Sequence, residues 1–495
     1  MHTAADSTIV PAASGRFLHD HVADFVRSLI EDGTLKPGDR VPSLRAIRRR
    51  LEVSMATATR AYETLEEGGW IEARPQSGFY VRSPRAAALE APQRGHTPGR
   101  PERLDVPSLL GSLAPADESD NAVTLSLALP DPELLPTRAL QRALTRVARA
   151  HPGASTEYAF PPGIETLRRQ IAYRVAGAGC RVHPDDVLVT SGCAEALTIA
   201  LQCVARPGDV IAVESPTFFN ILTMIERLGM RALELPTDPL EGLDPQAFER
   251  ALEHNSVSAA LLVPNFNNPL GSCMPDAAKR RVVELAQRYA LPVIEDDIYG
   301  DLHFGDRRPS LLRAFDDGSH VLTASSFSKT VAPGYRVGWL LAGRWREGAN
   351  SLKHALSMAT ATLPQLVMAD FLENGAYERH LRRLRSAYHA QVERMRHAIA
   401  QHFPAGTRVS EPRGGFLLWV QLPDRVQAID VYRAALDAGV RVAPGNLFGS
   451  GAAYDQYLRL SCGAPWQPAL ETAIAALGRI VHDLAQWPAH GDIGA

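Results

Sequence analysis

A stretch rich in proline, alanine, glycine and arginine divides this chain of 495 residues into a short part and a long part. The stretch covers residues 84–121 and has no sustained apolar period, so it predicts a semi-extended linker that buries little of its own surface. The remaining chain is too long for one small domain. We therefore predict two folding units, a compact domain over residues 15–83 and a larger one over residues 122–490.

Composition excludes several classes of protein. With 45% hydrophobic and 22% charged residues, the chain is typical of a globular protein. Its net charge of -3 gives no global attraction to nucleic acid or membrane, so any such affinity must come from a local patch. Five cysteines without zinc-site or CxxC spacing predict free thiols in a reducing, cytoplasmic protein without a metal site. No secretory signal and no apolar run of about 20 residues is present, so we expect no membrane span.

Strand-like and helix-like patterns alternate through the long part. Short apolar runs predict strands at residues 187–190, 210–213, 259–263, 292–295, 321–325 and 337–341. Helical patterns separate most of these runs, and this order predicts an α/β fold with a mostly parallel sheet covered on both faces. After about residue 375, a long polar helix (Ala376–His402) precedes strand-like segments at 416–422 and 457–461. That change predicts a smaller α+β subdomain.

The short part carries the signals of three helices followed by a hairpin. Apolar residues recur with helical spacing over residues 17–32. Ser43 and Ser54 stand where each can cap a further helix, the first ending at Leu51 and the second near Glu67. Residues 70–74 and 78–82 then predict a β-hairpin. This is the element order of a winged helix-turn-helix.

Positive charge in the short part is concentrated in one segment. Residues 1–83 hold 11 basic and 11 acidic residues, whereas residues 40–60 hold six arginines against one acid. An arginine run on a short helix is often no more than a solvated face. Its confinement to this segment also suits contact with phosphates, so both interpretations stay open at this point.

The strings GDRVPSLRAI and VSMATATRAYETLEEGGWIEARPQSGFYV resemble the DNA-binding domain of the GntR family, and the resemblance covers residues 15–83 without a gap. It implies that the DNA backbone or bases are contacted by Arg40, Ser43 and Arg45. It implies that the recognition helix includes Ser54, Thr57 and Arg60. Gly78 would lie at the tip of the wing. Many family members carry an arginine at the position of Met55, where it can read a guanine.

The sharpest chemical signal is SSFSKTVAPGYRVGW, residues 325–339. Lys329 follows a predicted strand, among small hydroxyl residues and between apolar flanks. Most lysines are solvated loop residues, but a lysine whose charge is disfavoured by burial becomes nucleophilic enough to form a Schiff base. The donors that suit a nearby phosphate group are Ser326, Ser328 and Arg336.

Other segments fit the same kind of site. The turn at residues 191–194 joins a strand to a helix, and the helix N-terminus suits a phosphate. Asp296 ends a strand, where a buried acid can keep a pyridine nitrogen protonated or can simply cap a helix. Asn268 can reach a ring oxygen or belong only to a turn. Phe218 can stack on a flat ring, although core packing is the commoner role of such a residue.

In this order, the segments VTSGCAEAL, ESPTFFN, NNPLG, EDDIYG, SFSKTVAPGYRVGW and YLRLSCG resemble fold-type I pyridoxal-phosphate aminotransferases, over about residues 122–490. The resemblance implies that Lys329 forms the Schiff base with pyridoxal phosphate and that Arg459 clamps a substrate or effector carboxylate. It implies that the remaining cofactor contacts are Cys193, Ala194, Phe218, Asn268, Asp296, Tyr299, Ser326, Ser328, Arg336 and, from a neighbouring subunit, Tyr158. Cys193, Phe218 and Leu270 depart from the residues that are frequent in the family.

A GntR-type reader joined to an aminotransferase-like domain resembles the MocR-type transcriptional regulators. This implies a homodimer that binds double-stranded operator DNA and senses pyridoxal phosphate, or an amino compound, through an aldimine. The alternative is an active aminotransferase that carries a DNA-binding appendage, because Lys329, Asp296 and Arg459 are all present. The intact N-terminal reader favours regulation over turnover.

Overall fold

The computed structural model describes residues 18–31, 34–36, 38–67, 70–74, 77–81, 89–95, 99–101 and 122–486. Contacts divide the chain into two compact units, Met1–Ala88 and Leu89–Ala495. Most of the predicted linker lies outside the described residues, so its bounds stay a prediction. Its described segment 89–95 belongs to the second unit, where the Glu90 carbonyl accepts a hydrogen bond from Val409 N at 2.9 Å.

The first unit consists of three helices and a hairpin, in the predicted order. Its elements are α1 (Leu18–Glu31), α2 (Leu44–Leu51), α3 (Met55–Glu67), β1 (Ile71–Arg74) and β2 (Gly78–Val81). Both predicted caps are formed: Ser43 Oγ accepts from Ala46 N at 3.2 Å, and Ser54 Oγ accepts from Thr57 N at 3.1 Å. These bonds satisfy backbone donors that a helix start leaves free.

One apolar core holds the first unit together. Val26 of α1, Ile47 of α2, Leu65 of α3 and Ile71 of β1 are fully buried in the same cluster. Each helix therefore contributes an apolar face, as the sequence period predicts for α1, and the hairpin closes the core.

The second unit is larger and contains three sheets, of eight, four and two strands, with helices around them. Its helices are α4 (Thr137–Ala150), α5 (Glu165–Ala176), α6 (Cys193–Val204), α7 (Phe219–Arg227), α8 (Pro245–His254), α9 (Asp276–Arg288), α10 (Arg346–Ser357), α11 (Thr362–Glu373), α12 (Ala376–His402), α13 (Ala428–Asp437) and α14 (Pro468–Gln486). Its strands are β3 (Val123–Thr124), β4 (Val187–Thr190), β5 (Val210–Ser215), β6 (Arg231–Asp238), β7 (Gly242–Leu243), β8 (Ala259–Leu262), β9 (Val293–Asp296), β10 (Val321–Ser326), β11 (Gly338–Leu341), β12 (Arg408–Val409), β13 (Leu417–Gln421), β14 (Val440–Arg441), β15 (Ala443–Pro444) and β16 (Tyr457–Ser461).

The large sheet has eight strands in the order β4-β11-β10-β9-β8-β5-β6-β7. The five central strands from β10 to β6 are parallel to their neighbours, whereas β11 and β7 pair antiparallel. Side chains of β5 alternate between two apolar clusters: Ile211 and Val213 face one, and Val210 and Ala212 face the other. Both faces of this sheet are therefore covered, which explains the continuous apolar runs of its strands.

The smaller subdomain follows α12, as the change of pattern near residue 375 predicts. Its sheet has the order β12-β13-β16-β15 with every pair antiparallel. Helix α12 occupies the predicted span and packs with α14 against this sheet through one apolar cluster. The predicted fold class, with a large mostly parallel subdomain and a small α+β subdomain, is confirmed. Within the described ranges, no helix has both the length and the apolar character of a membrane span.

Candidate functional site

The ends of several strands of the large sheet meet at one edge. Strands β8, β9 and β10 are parallel, so the residues that follow them lie side by side, and β4 ends at the same edge. Asn268 lies in the segment after β8, Asp296 ends β9, and Lys329 follows β10. Such an edge is where ligands bind in open α/β sheets.

Lys329 is held at this edge by a main-chain oxygen. Its Nζ donates a hydrogen bond to the Ala128 carbonyl at 2.6 Å. Burial, together with the positive charge of Arg459, lowers the pKa of Lys329 to about 8, although Asp296 opposes the shift. A lysine with this pKa has a neutral, nucleophilic fraction near neutral pH.

Asp296 is a buried acid with one oxygen in use. Its Oδ1 accepts from the Ile298 N–H at 3.2 Å and from the Cys193 thiol at 3.4 Å. Burial raises the pKa of Asp296 to about 6, against the lowering effect of these two donors. Within the described chain its Oδ2 has no hydrogen-bond partner, so it is available to a ligand.

A cradle for an anion forms where β4 turns into α6. Gly192 has a φ of 93°, and a Cβ added there would lie 2.3 Å from Arg336 Nη2. Arg336 Nη2 donates to the Ser191 carbonyl at 2.9 Å, and its Nη1 lies 3.5 Å from Ser328 Oγ. No side chain caps α6, so the backbone N–H groups of its first turn, at Cys193 and Ala194, face this point without a capping acceptor.

Two serines complete the cradle. Ser326 and Ser328 are buried, and the Ser328 N–H donates to Ser326 Oγ at 3.3 Å. In the part of the chain that the structure describes, no carboxylate forms an ion pair with Arg336. The cradle therefore combines a guanidinium, two hydroxyls and a helix N-terminus, a donor set that suits a phosphate.

Arg459 is the most unusual charge of the site because it is only 1% exposed. Its Nη1 donates to Asn268 Oδ1 at 3.2 Å and its Nη2 donates to the Ser126 carbonyl, but its Nε has no partner. Its guanidinium lies 5.0 Å from the centre of the Phe448 ring. Burial lowers the pKa of Arg459 to about 10, and no carboxylate among the described residues pairs with it.

The aromatic residues predicted for the site fall into two groups. Tyr299 is buried against the Phe416 ring at 5.8 Å, and burial raises the pKa of its hydroxyl. Phe218 packs against the apolar cluster that contains Cys193. Tyr158 stands apart: it is 69% exposed and stacks on the exposed Phe160 at 5.5 Å. The structure thus brings the predicted polar cofactor contacts and Tyr299 to this edge, places Phe218 only by the apolar cluster that it shares with Cys193, and leaves Tyr158 exposed.

Sequence reasoning missed three contributors to the site. Ser126 and Ala128 offer their carbonyl oxygens to Arg459 and Lys329, and Glu195 accepts from Ser191 N at 2.6 Å, which fixes the cradle turn. The only signal for the first two is a short apolar run before Pro130. The signal for Glu195 is its place in the first turn of α6, where an acid can bond backward.

The arginines near the predicted DNA contacts differ in whether their side chains have partners among the described residues. The exposed Arg45, Arg48 and Arg49 of α2 form no ion pair or hydrogen bond with any described side chain. Arg60 of α3, by contrast, lies 3.1 Å from Glu63. The backbone of Arg40 pairs with Tyr80 of β2.

The hydroxyls predicted to contact DNA already have structural partners. Ser43 and Ser54 cap helices, and Thr57 Oγ1 lies 2.8 Å from Ser54 Oγ. Gly78 begins β2 with a φ of 106°, and a Cβ there would lie 3.4 Å from the Arg40 guanidinium. This close approach links the start of the second hairpin strand to Arg40.

Together these features define a DNA-binding regulator in which a winged helix-turn-helix unit is joined to an aminotransferase-like domain. Residues 18–81 match the family described as bacterial regulatory proteins, gntR family, and residues 127–477 match aminotransferase class I and II. The chain belongs to the class I and II aminotransferase family and, with the GntR domain in front, has the MocR-type architecture. The predicted resemblance is confirmed.

Two relatives named as HTH-type transcriptional regulators span almost the whole chain. The uncharacterised HTH-type transcriptional regulator YjiR of Escherichia coli strain K12 is 35% identical over 94% of this chain and 98% of its own length. The uncharacterised HTH-type regulator YdcR of the same strain is also 35% identical, over 94% of this chain and 99% of its own length.

The second unit alone resembles solved aminotransferases. The crystal structure of LysN, an α-aminoadipate aminotransferase from Thermus thermophilus complexed with N-(5'-phosphopyridoxyl)-L-leucine, superposes with a TM-score of 0.69 and 28% identity. The match covers 74% of this chain and 93% of that one. Family membership and this likeness imply that the chain binds pyridoxal phosphate.

Proposed function

We propose that this chain is a transcriptional regulator whose second unit binds pyridoxal phosphate and senses an amino compound with a carboxylate. The observation that carries the proposal is Arg459, a buried cation near Lys329 without a carboxylate partner among the described residues. A buried unpaired charge is costly, so a domain with only a structural role gains nothing from it. An incoming carboxylate offers the missing partner.

The residues at the sheet edge fit pyridoxal phosphate. The uncapped start of α6 and the side chains of Ser326, Ser328 and Arg336 would hold the phosphate. The free Oδ2 of Asp296 would pair with the pyridine nitrogen. A Cβ at Gly192 would collide with the Arg336 guanidinium, so glycine there lets this cation lie against the cradle turn. Asn268 and Tyr299 would contact the ring oxygen, and Phe218 would stack on the ring.

The protein's own groups then perform defined tasks. Bound pyridoxal phosphate supplies an aldehyde that condenses with an amine, with loss of water. Lys329 provides that amine, and its lowered pKa of about 8 leaves part of it unprotonated near neutral pH. Arg459 presents a planar fork that orients the carboxylate of an amino compound. Asp296, which is mostly ionised above its pKa of about 6, would accept a hydrogen bond from the protonated pyridine nitrogen and so hold the proton there.

Exposed apolar side chains support a homodimer. Tyr158 and Phe160 stack on each other, Phe160 lies 6.0 Å from the His354 ring, and Leu356 and Met358 nearby in the chain are 51% and 45% exposed. A second copy that covers this patch would bring Tyr158 to a neighbouring cofactor phosphate. A dimer presents two DNA readers, so its operator is expected to contain two half-sites.

Lysine content makes the cofactor attachment directly testable. The chain contains four lysines: Lys36, Lys279, Lys329 and Lys353. The full protein is incubated with pyridoxal phosphate, reduced with borohydride and mapped by peptide mass spectrometry. We expect the pyridoxyl group on Lys329 and visible absorbance that Lys329→Ala lacks. Exposed Lys36 serves as the internal control, and equal labelling of Lys36 and Lys329 would refute the assignment.

Regulation is tested by DNA affinity. A fluorescent duplex from the protein's own promoter is titrated with cofactor-loaded protein, with and without a panel of α-amino acids. We expect one amino acid to change the affinity by about 5- to 150-fold, the usual range for coupled sites. Rapid transamination with a DNA affinity that never responds would instead establish an enzyme with a tethered DNA-binding domain.

A further inference from the structure

A cavity on the second unit, separate from the strand-end site, is lined by four arginines. It lies between α4 and α12 and has a volume of about 590 Å³. Arg138 and Arg142 come from α4, and Arg379 and Arg383 come from α12. In each pair the spacing of four residues places both side chains on one face of their helix. Two helices therefore direct four guanidiniums toward the same space.

These arginines lack partners within the described ranges of the chain. None of the four forms an ion pair or a side-chain hydrogen bond there, whereas Arg146, one turn further along α4, is paired with Asp370. Like charges four residues apart on a helix repel each other. Glu133 is the one acid in the cavity wall, so the lining carries an excess of positive charge.

The cavity also has a built floor. His380 lines it and is 5% exposed. Its Nε2 donates to the Thr330 carbonyl at 2.6 Å, and its Nδ1 is buried without a partner in the described structure. Because Nε2 donates, Nδ1 is the acceptor nitrogen and lies buried, so the imidazole closes the floor of the cavity and leaves phosphate recognition to the arginines. It also links the cavity to the residue next to Lys329.

Apolar side chains form the remaining wall, and Leu135, Pro136, Ala139 and Phe371 contribute to it. A second depression of about 580 Å³ continues along α4 and shares Arg138 and Arg142. The cavity is open to solvent, and its volume is large enough for a small molecule. The combination of an apolar wall with several guanidiniums fits a compact ligand that has an apolar body and more than one phosphate.

We propose that the cavity between α4 and α12 binds a nucleoside diphosphate or a similar phosphorylated small molecule, at a site separate from the cradle at Gly192. Guanidinium pairs hold phosphates through paired hydrogen bonds, and four of them can neutralise a diphosphate. The apolar wall receives the base or another flat group. The alternative partner is the backbone of DNA, which the experiment below distinguishes.

The test uses the full protein saturated with pyridoxal phosphate, so that the cradle is filled, and titrates it with adenosine diphosphate by calorimetry. The double variant Arg138→Gln/Arg383→Gln removes one guanidinium from each helix. The matched control Arg149→Gln/Arg394→Gln changes exposed arginines on the same two helices, outside the cavity. We expect the wild type and the control to bind the nucleotide alike, and the cavity variant to bind about tenfold more weakly or worse.

Three outcomes would overturn the proposal. The first is a wild type that binds neither adenosine diphosphate nor pyrophosphate. The second is a cavity variant that binds as the wild type does while remaining folded by circular dichroism. The third is a cavity variant that loses affinity for operator-free duplex DNA by the same factor, which would make the arginines a nucleic-acid contact.

Discussion

In the first unit, Arg45, Arg48 and Arg49 stand exposed on α2, whereas in the second unit Arg459 is 1% exposed on β16. None of the four has a carboxylate partner among the described residues. An exposed cation is solvated and screened by salt. It therefore lowers the stability of the fold little, and each contact that it makes with a ligand contributes only a small free energy. A buried cation has lost its water and depends on what the protein or a ligand offers it. We therefore expect a single arginine to contribute more to ligand affinity in the second unit than in the first.

This difference suits two kinds of ligand. A DNA backbone is a continuous anion, and several weak, salt-sensitive contacts read it together. A small amino compound brings one carboxylate, so its recognition rests on very few groups. We therefore expect large, salt-insensitive effects from changes at the sheet edge and small, salt-sensitive effects from changes on α2.

The largest effect is expected for Arg459→Met. The affinity of the cofactor-loaded protein for its tightest-binding α-amino acid should fall by about 2–5 kcal/mol, as is usual when one partner of a buried charge pair is removed. The matching amine without a carboxylate should bind the variant and the wild type alike. Calorimetry with this pair of ligands checks the prediction.

The same variant also tests whether Arg459 is structural. Since the substitution removes a buried unpaired charge, the ligand-free variant should be at least as stable as the wild type. A variant that is strongly destabilised, yet keeps its affinity for the amino acid, would mean that Arg459 serves the fold.

A second strong effect concerns Asp296 and pH. Burial raises its pKa from 3.8 to about 6, so the native state binds a proton more tightly than the unfolded state. The free energy of unfolding then falls as pH rises from about 4 to about 6. Above pH 6 the ionised Asp296 lowers it by about 3 kcal/mol in total, at about 1.4 kcal/mol per unit of pKa difference. Asp296→Asn should therefore be more stable than the wild type at pH 8 and equal to it near pH 4, in urea denaturation without cofactor.

Asp301 provides the opposite control. Arg174 and Arg308 hold the pKa of its carboxyl well below the usual range, against burial. Its charged form is therefore stabilised, and Asp301→Asn should destabilise the protein at pH 8, an effect that is lost as pH falls. If Asp296→Asn also destabilises the protein at pH 8, its carboxylate is already satisfied and is not free for a cofactor.

A smaller effect is expected for Cys193, whose thiol donates to Asp296. Cys193→Ala removes a donor that lowers the pKa of Asp296, and the expected loss of pyridoxal phosphate affinity is about 1 kcal/mol. Cys193→Ser should restore most of this loss because the hydroxyl also donates. Cys203→Ala, on the same helix, is the control, and an equal loss in both alanine variants would contradict the role of the thiol. Cofactor titration by absorbance measures all three.

The sequence was sufficient for features that depend on local patterns. Ser43 and Ser54 are predictable as caps because a hydroxyl before a helical segment is a local signal, and both caps are present. The span of α12 and the parallel sheet follow from periods of 3.6 and from continuous apolar runs. Lys329 and Arg336 were recognisable because they follow a predicted strand in one short segment.

Long-range contacts were beyond the sequence. Cys193 meets Asp296 across 103 residues, and nothing in either segment specifies a thiol as the partner of that acid. The carbonyl oxygens of Ser126 and Ala128 escape detection because every residue has one. The cavity between α4 and α12 depends on helices that lie far apart in the chain, so its arginines read individually as solvated residues.

The smallest effects on ligand affinity are expected for substitutions on α2 and α3. The sequence gives no reason to expect different DNA affinities for Arg45→Ala and Arg60→Ala, but the structure does. Arg45 has no partner among the described residues, whereas Arg60 is shared with Glu63 at 3.1 Å. Arg45→Ala should lower the slope of log K against log salt by about 1, which is about a fourfold change in affinity over a fourfold range of salt. Arg60→Ala should change the slope less, because Glu63 already offsets part of its charge. Fluorescence anisotropy with the promoter duplex from about 50 to about 200 mM salt measures both slopes.

Equal slopes for both variants would mean that Arg60 leaves Glu63 when DNA binds. A slope unchanged by Arg45→Ala would remove α2 from the reading face and leave the exposed arginines as a solvated surface.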